Sequence, residues 1–416
     1  MILKGKGTAW LNAAQVALEL RLLAQASRGG GVIFKTQYST SSWCSKVTQS
    51  NTTPASNSDK LQALMARVIE NAGGWIPFDR FMALALYAPT LGYYSQSIQP
   101  IGLSPSSSDF VTAPEMSRFF SQTLARSVLE ALDQTQTDEV WEFGAGNGTM
   151  AKELLSSLGH RIRRYVIVDV SMSLKERQAQ VLAEFKDQVT WVHELPPNFE
   201  GVVLGNEVLD AMPIKLLQRT KGVWLERGVS LDPSRENMEW RFEDRESPLR
   251  TPLEPEGFHD YLTEIHPQAE AFINTLADRL TKGAVFLIDY GFPEKEYYHP
   301  ERCQGTLMCH RAHLSDTNPL VDVGLKDITA HVNFSSVALT AQNAGMNVLG
   351  YTTQAHFLIN SGLLDLVQDA SLQDKAMVQK LIAEHEMGEL FKVIALGVGE
   401  PWEPMGFAHG DRSHTL

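Results

Sequence analysis

The sequence is short of cysteine, of long apolar runs and of positive charge, and each shortage removes a class of protein. Three cysteines in 416 residues, Cys44, Cys303 and Cys309, are too few for a disulfide framework and fit a reducing compartment. No window approaches the ~20 consecutive apolar residues that a membrane-spanning helix needs, so membrane insertion is not expected. Lys and Arg number 36 against 49 Asp and Glu, a formal net charge of −13. That balance opposes broad electrostatic binding to nucleic acid, and the Trp and Phe positions lack the interleaved basic residues of a single-strand platform. Cys303, Cys309, His310 and His313 have a C-x5-C-H-x2-H spacing that matches no usual zinc site, so no metal is expected.

What is present is a folding composition, 43% hydrophobic and 20% charged, with enough apolar material for a sizeable core. Residues 1–58 stand apart. They carry Lys4, Lys6, Arg21, Arg28, Lys35 and Lys46 against the single acid Glu19, and Ser39 to Ser58 is rich in Ser, Thr and Asn. A cationic, hydroxyl-rich, acid-poor leader is the composition of a mitochondrial transit peptide, which would address the chain to the matrix. A disordered bacterial extension and a start codon assigned too far upstream are the alternatives, and the body of the chain reads as a bacterial cytoplasmic protein. The helix-like run Leu11 to Ala26 suits all three. The boundary is placed at Ser58.

The most informative stretch is Val140-Trp141-Glu142-Phe143-Gly144-Ala145-Gly146-Asn147-Gly148, followed by a helix-forming segment, Thr149 to Leu158. An apolar run, three alternating glycines and a helix describe a parallel strand entering a tight turn. Glycine serves there because the backbone takes unusual dihedrals and approaches a ligand without a Cβ in the way. The spacing is G-x-G-x-G, not the G-x-G-x-x-G of dinucleotide folds. With Glu142 two residues before the first glycine, it reads as the S-adenosylmethionine (SAM) loop of a class I methyltransferase, an ordinary β-to-α turn being the alternative. Asp169 closes the next apolar strand, Arg163 to Val170, 21 residues after Gly148. A carboxylate at that place accepts hydrogen bonds from ribose hydroxyls in open α/β folds. Strand Gly201 to Gly205 then runs into Asn206-Glu207-Val208-Leu209-Asp210, and Ala284 to Phe292 gives a fifth strand with Asp289 near its end. Strands alternating with helices predict an α/β fold: a class I, Rossmann-like parallel sheet with helices on both faces and ligands at the carboxyl ends of its strands.

The remaining segments are assigned around that sheet. Residues 59–135 form a helical N-terminal segment (helices Leu61 to Asn71 and Phe78 to Tyr87) and a cofactor lid. Within the lid segment, Asp109 to Ser117, Thr112 and Glu115 have capping-box spacing with Pro114 early in the helix; closure of Asp109, Thr112, Pro114 and Glu115 over a cofactor is compatible with that. The methyltransferase domain occupies 136–213 and 263–400. Residues 214–262, with a hairpin around Thr220-Lys221-Gly222, interrupt it as an inserted, substrate-facing subdomain. Residues 293 to 334 read as a long loop, Leu358 to Asp369 as one helix, and 401–416 as a loose tail.

These blocks resemble the MidA-like family of SAM-dependent methyltransferases. The resemblance rests on Gly73-Gly74, Leu91-Gly92-Tyr93-Tyr94, Asp109 to Glu115, Glu142 to Gly148, Gly205 to Ala211, Asp289-Tyr290-Gly291, Gly305-Thr306-Leu307 with Arg311 and His313, and Asp327 to Val332. It covers roughly residues 61 to 397. Two positions depart: Asn333 where an acid is expected after His-Val, which counts against a catalytic role there, and Asp169 where glutamate is common, which keeps the carboxylate. The family includes a mitochondrial complex I assembly methyltransferase regarded as a protein arginine methyltransferase. The resemblance therefore implies SAM as cofactor, a protein partner such as a respiratory-complex subunit, and arginine N-methylation. A SAM-retaining assembly chaperone or a methyltransferase of another substrate class is the alternative, and a homodimer is retained as a candidate assembly.

For the cofactor, the expected contacts are Glu142, Gly144, Ala145, Gly146, Asn147, Gly148 and Asp169, with Thr112, Pro114, Glu115 and Asn206 closing the site. A guanidinium acceptor needs carboxylates that hold its planar fork. Glu207 and Asp210 are best placed by topology, with Asn206 adding an oriented carbonyl and His331 a base or orienting group. Helix capping by Glu207 and Asp210, and a structural role for His331, are the alternatives.

Overall fold

The computed structural model describes residues 56–96, 111–169, 172–232 and 239–416. The leader up to residue 55, nearly all of the Ser95 to Ser108 loop, and Asp109 lie outside the described residues. Seven strands form the main sheet: β1 (Glu139–Phe143), β2 (Arg164–Val168), β3 (Val189–Val192), β4 (Phe199–Asn206), β5 (Leu280–Phe292), β6 (Asn347–Thr353) and β7 (Phe391–Val398). Their order is β6-β7-β5-β4-β1-β2-β3, with the two-residue strand Val332–Asn333 added beside β5. All pairings from β3 to β5 are parallel, and β7 alone enters antiparallel, between β5 and β6. The strand order reverses between β1 and β4, so their carboxyl ends open the crevice in which such sheets bind ligands.

Both faces of the sheet are covered, which is why its strands are continuously apolar rather than alternating. One face packs Phe120, Leu124 and Val128 of the helix Arg118–Thr135 and Leu154 of the helix Thr149–Leu158 against Val140, Val202 and Phe286. The other packs Phe272 and Leu276 of the helix Pro267–Arg279, and Val337 of the helix Phe334–Asn343, against Trp141, Val203 and Leu287. On this second face Phe143 meets Phe272 edge to face at 5.0 Å.

A second sheet is built largely from residues 214–262, the segment expected as an inserted subdomain. It joins Lys215–Thr220, Val223–Leu231, Trp240–Glu246 and Tyr261–Ile265 with Trp75–Pro77 from the N-terminal segment. Trp75, Ile76 and Pro77 pair antiparallel with Ser230, Val229 and Gly228. Gly228 permits this approach, because a Cβ there would collide with the Ile76 carbonyl oxygen and the Trp75 ring. The helices Asn57–Asn71 and Phe78–Tyr87 pack on that sheet through Leu61, Ile69, Phe78 and Phe81. Residues 59–135 are therefore divided: the first two helices serve the second sheet, and Arg118–Thr135 serves the main one.

Three further expectations change. Residues 293–334 are not one long loop but hold a small sheet of Met308–Arg311, Leu314–Asp316 and Asp327–Thr329. The helix expected over Leu358 to Asp369 is instead Gln354–Asn360 and Leu363–Leu366, separated at Gly362, whose φ of +85 breaks the helical path. Residues 401–416 are docked rather than loose: Phe407 is buried against Phe357 at 5.5 Å, Glu130 accepts from the Met405 amide, and Arg412 pairs with Glu389. Among the described residues no helix is long and apolar enough to cross a membrane.

Candidate active site

The glycine turn leaves β1 with left-handed dihedrals at Gly144 (φ +63), Gly146 (φ +53) and Gly148 (φ +90), a region that side chains with a Cβ rarely adopt. Gly148 is the N-cap of the helix Thr149–Leu158 and has no side chain with which to cap it. Asn147 does this instead: its Oδ1 accepts from the Thr149 amide at 3.0 Å and from the Thr149 hydroxyl at 2.7 Å. Its Nδ2 donates to Glu115 Oε1 at 2.6 Å.

The capping-box expectation fails at the Thr112 side chain. Thr112 is the N-cap of a single turn, Ala113–Met116, but makes no side-chain cap bond. Ser117 ends the turn and caps the longer helix that follows. Glu115 is thus turned toward the glycine turn, with Pro114 buried beside it. From the same short helix, the Ala113 amide acts on the Glu207 carboxyl, opposing the rise that burial causes. The Ala113–Met116 turn is thereby tied to the glycine turn after β1 through Glu115 and Asn147.

No helix directly follows β4, so neither Glu207 nor Asp210 caps one. Residues 207–212 form a turn held by Asp289, whose Oδ2 accepts from the Leu209 and Asp210 amides at 2.9 and 3.2 Å. Glu207 has a φ of +52, an uncommon value for a residue with a side chain, and its Oε1 accepts from Asn206 Nδ2 at 2.9 Å. Asp210 Oδ2 accepts from the Tyr290 hydroxyl at 2.6 Å. His331 stands edge-on to Tyr290 and Phe292, at 5.1 and 5.2 Å, and its amide donates to Thr306 Oγ1.

Burial dominates the electrostatics. It raises Glu142 to about 7, against the Tyr165 hydroxyl that donates to it at 2.6 Å. It raises Glu115 to about 7. Glu207 is pushed to about 8 by burial and then by the Asp210 charge, and Asp210 to about 6 by burial, with Tyr290 opposing. Burial and then nearby cationic side chains, Arg302 and Lys392, lower His331 to about 4, which keeps the ring neutral. A buried carboxyl with such a raised value is one that gains from an incoming cation. Four buried polar atoms of these residues also lack hydrogen-bond partners among the described residues: Glu115 Oε2, Asn206 Oδ1, Asp210 Oδ1 and His331 Nδ1. A buried polar atom without a partner is free to meet a ligand.

The expected residues therefore gather around the ends of β1, β2 and β4. Asp169 follows β2, and its carbonyl oxygen meets His193 Nδ1 at 3.0 Å. Asn333 caps the helix Phe334–Asn343 by accepting from the Ser336 amide. Sequence reasoning missed Tyr290 as the partner of Asp210, Asp289 as the organiser of the 207–212 turn, and Gln178. The Asp-Tyr pair at the end of β5 was the available signal for the first two; a glutamine on a helix offered none. Among the described residues no group of His, Cys, Asp and Glu is arranged to hold a metal ion.

Comparison with known proteins adds four findings. Residues 123–352 match the model of a family of S-adenosyl-L-methionine-dependent methyltransferases. The mouse protein named protein arginine methyltransferase NDUFAF7, mitochondrial, is 27% identical over 402 residues, covering 85% of this chain and 88% of that protein. A Caenorhabditis elegans homologue of the same name is 24% identical over 364 residues, covering 78% and 83%. A crystal structure from Burkholderia thailandensis, bound to S-adenosyl-homocysteine, is 46% identical, with a TM-score of 0.82 over 86% of this chain and 97% of that one.

Proposed function

Because this chain belongs to the family of S-adenosyl-L-methionine-dependent methyltransferases, we propose that the methyl group it transfers goes to an arginine side chain of a partner protein. The names of the mouse and nematode relatives support arginine as the acceptor, and the family resemblance supports a respiratory-complex subunit as the substrate. The observation that carries the reading is the carboxylate pair Glu207 and Asp210 beside the unpartnered Asn206 Oδ1. A guanidinium is planar, permanently charged and rich in N–H donors, so it matches two carboxylates and a carbonyl oxygen.

The cofactor, when bound, supplies an electrophilic methyl group on a positively charged sulfur. The remaining work belongs to the chain. In this reading the amides and carbonyls of Gly144, Ala145, Gly146, Asn147 and Gly148 hold the polar end of the cofactor, Asp169 takes the ribose hydroxyls, and Glu142 supports the turn from below. Thr112, Pro114 and Glu115 close the site from the side of the lid. Glu207 and Asp210 orient the acceptor so that its nitrogen is aligned for in-line displacement, which is chiefly a matter of position. Tyr290 fixes Asp210, and the neutral His331 offers Nδ1 to an acceptor N–H or its departing proton.

The 46% identity to a Burkholderia protein supports a bacterial setting; a mature N-terminus near residue 58, read by mass spectrometry, would support import into the mitochondrial matrix instead. For the activity, a lysate is incubated with tritiated SAM and the purified chain, and labelled proteins are hydrolysed for methylarginines. Wild type is expected to label arginine, while Glu207→Ala retains cofactor binding by titration calorimetry and loses transfer. Label in another residue type or in nucleic acid overturns the acceptor assignment. Cofactor binding with no labelling supports an assembly chaperone instead.

A further inference from the structure

In the helix Met172–Val181, Gln178 is 0% exposed. A fully buried side-chain amide must satisfy its donors and acceptor or destabilise the fold. Gln178 Nε2 donates to the Gly146 carbonyl at 3.0 Å and to Asp169 Oδ2 at 3.1 Å. Its Oε1 accepts from the Trp191 indole N–H at 2.9 Å. The chemistry of these partners fixes the orientation of the amide. An indole nitrogen only donates and a carbonyl oxygen only accepts, so the reversed amide would lose both contacts.

We propose that Gln178 is a positioning residue for the cofactor: it locks the Asp169 carboxylate and the glycine turn into one register, with Trp191 holding its amide the right way round. The inference rests on the reading of Asp169 and Gly146 as cofactor-binding. Asp169 and Gly146 come from different strand ends, and Gln178 donates to both. Gly148 packs on the same residue, a Cβ there lying 3.5 Å from the Gln178 Cα. The carboxylate is thereby held by one oxygen, and the Gly146 carbonyl is held toward the amide that anchors it.

The test uses the full chain and S-adenosyl-homocysteine as the calorimetric probe. Gln178→Met keeps the length and loses all three bonds. Gln178→Glu keeps an acceptor for Trp191 but sets oxygens against the Gly146 carbonyl and the Asp169 carboxylate. Affinity is expected to fall by about 10-fold in the first and about 100-fold in the second, the range for bonds to charged groups. In an Asp169→Asn background the Gln178→Met loss should shrink to about twofold, since coupled residues are non-additive. A residue that only fills space would show the same loss in both backgrounds, and that result overturns the proposal, as does Gln178→Met binding within about twofold of wild type. If the Gln178 variants do not fold, Trp191→Phe carries the test: releasing the amide should weaken binding by about threefold, and unchanged affinity overturns the proposal. No binding by wild type would instead refute the cofactor reading itself.

Discussion

Replacing Glu142 with glutamine separates the charge of a buried carboxyl from its hydrogen bonding. Glu142 is 1% exposed and accepts from the Tyr165 hydroxyl; glutamine can still accept that bond but cannot ionise. Burial raises the carboxyl from its ordinary 4.5 to about 7. At about 1.4 kcal/mol per tenfold change in proton affinity, this amounts to about 3 kcal/mol. Because the folded value lies above the unfolded one, the stability is fully present below pH 4.5 and is lost as pH rises through about 7. Wild type should therefore weaken across that window while Glu142→Gln does not lose this contribution. The buried amide has its own cost, about 1–3 kcal/mol, but that cost is independent of pH and cancels from the comparison. Urea unfolding of ligand-free protein at several pH values from about 4.5 to about 8 gives the difference between variant and wild type. It should move by about 3 kcal/mol in favour of the variant from the low to the high end. A difference that stays constant with pH would refute the reasoning.

Tyr290→Phe removes the bond that holds the Asp210 carboxyl down, so Asp210 should titrate above its present value of about 6. The acid limb of kcat/KM for methyl transfer should move to higher pH, and an unmoved limb would show that Asp210 is not the group required ionised. Phe407→Ala empties a buried aromatic site against Phe357 and should cost about 3–5 kcal/mol, read as a lower denaturation midpoint; a surface-like loss of under about 0.5 kcal/mol would mean the C-terminal segment is not docked.

The alternation from Val140 to Asn206 was legible because each strand there is followed closely by the element that buries it. Apolar runs with acids or glycines at their ends named β1, β2, β4 and β5 and put Asp169, Asn206 and Glu207 on one edge. What could not be read was pairing at a distance. Trp75–Pro77 gives no sign that its partner is Val223–Leu231. Thr112 and Glu115 satisfy capping-box spacing, yet the Thr112 side chain makes no cap bond and Glu115 accepts from Asn147, contributed by a remote turn. Asp289 appeared as the end of a strand, but its work is to hold the amides of another segment. The C-terminal residues carried little apolar periodicity, and their docking depends on the buried Phe407 and on bonds to Glu130 and Glu389. Local patterns set the frame; long-range side-chain bonds decided the contacts within it.

The pairing of Ile76 with Val229 has a consequence for synthesis. The two residues lie far apart in the chain, and at about 5–20 residues per second the wait between them is on the order of ten seconds or more. Throughout it, the apolar faces of Asn57–Asn71 and Phe78–Tyr87 have no sheet to cover them. These early helices are thus buried well after they are made. Chaperone dependence should concentrate at that end of the nascent chain, because it must stay soluble until the second sheet arrives.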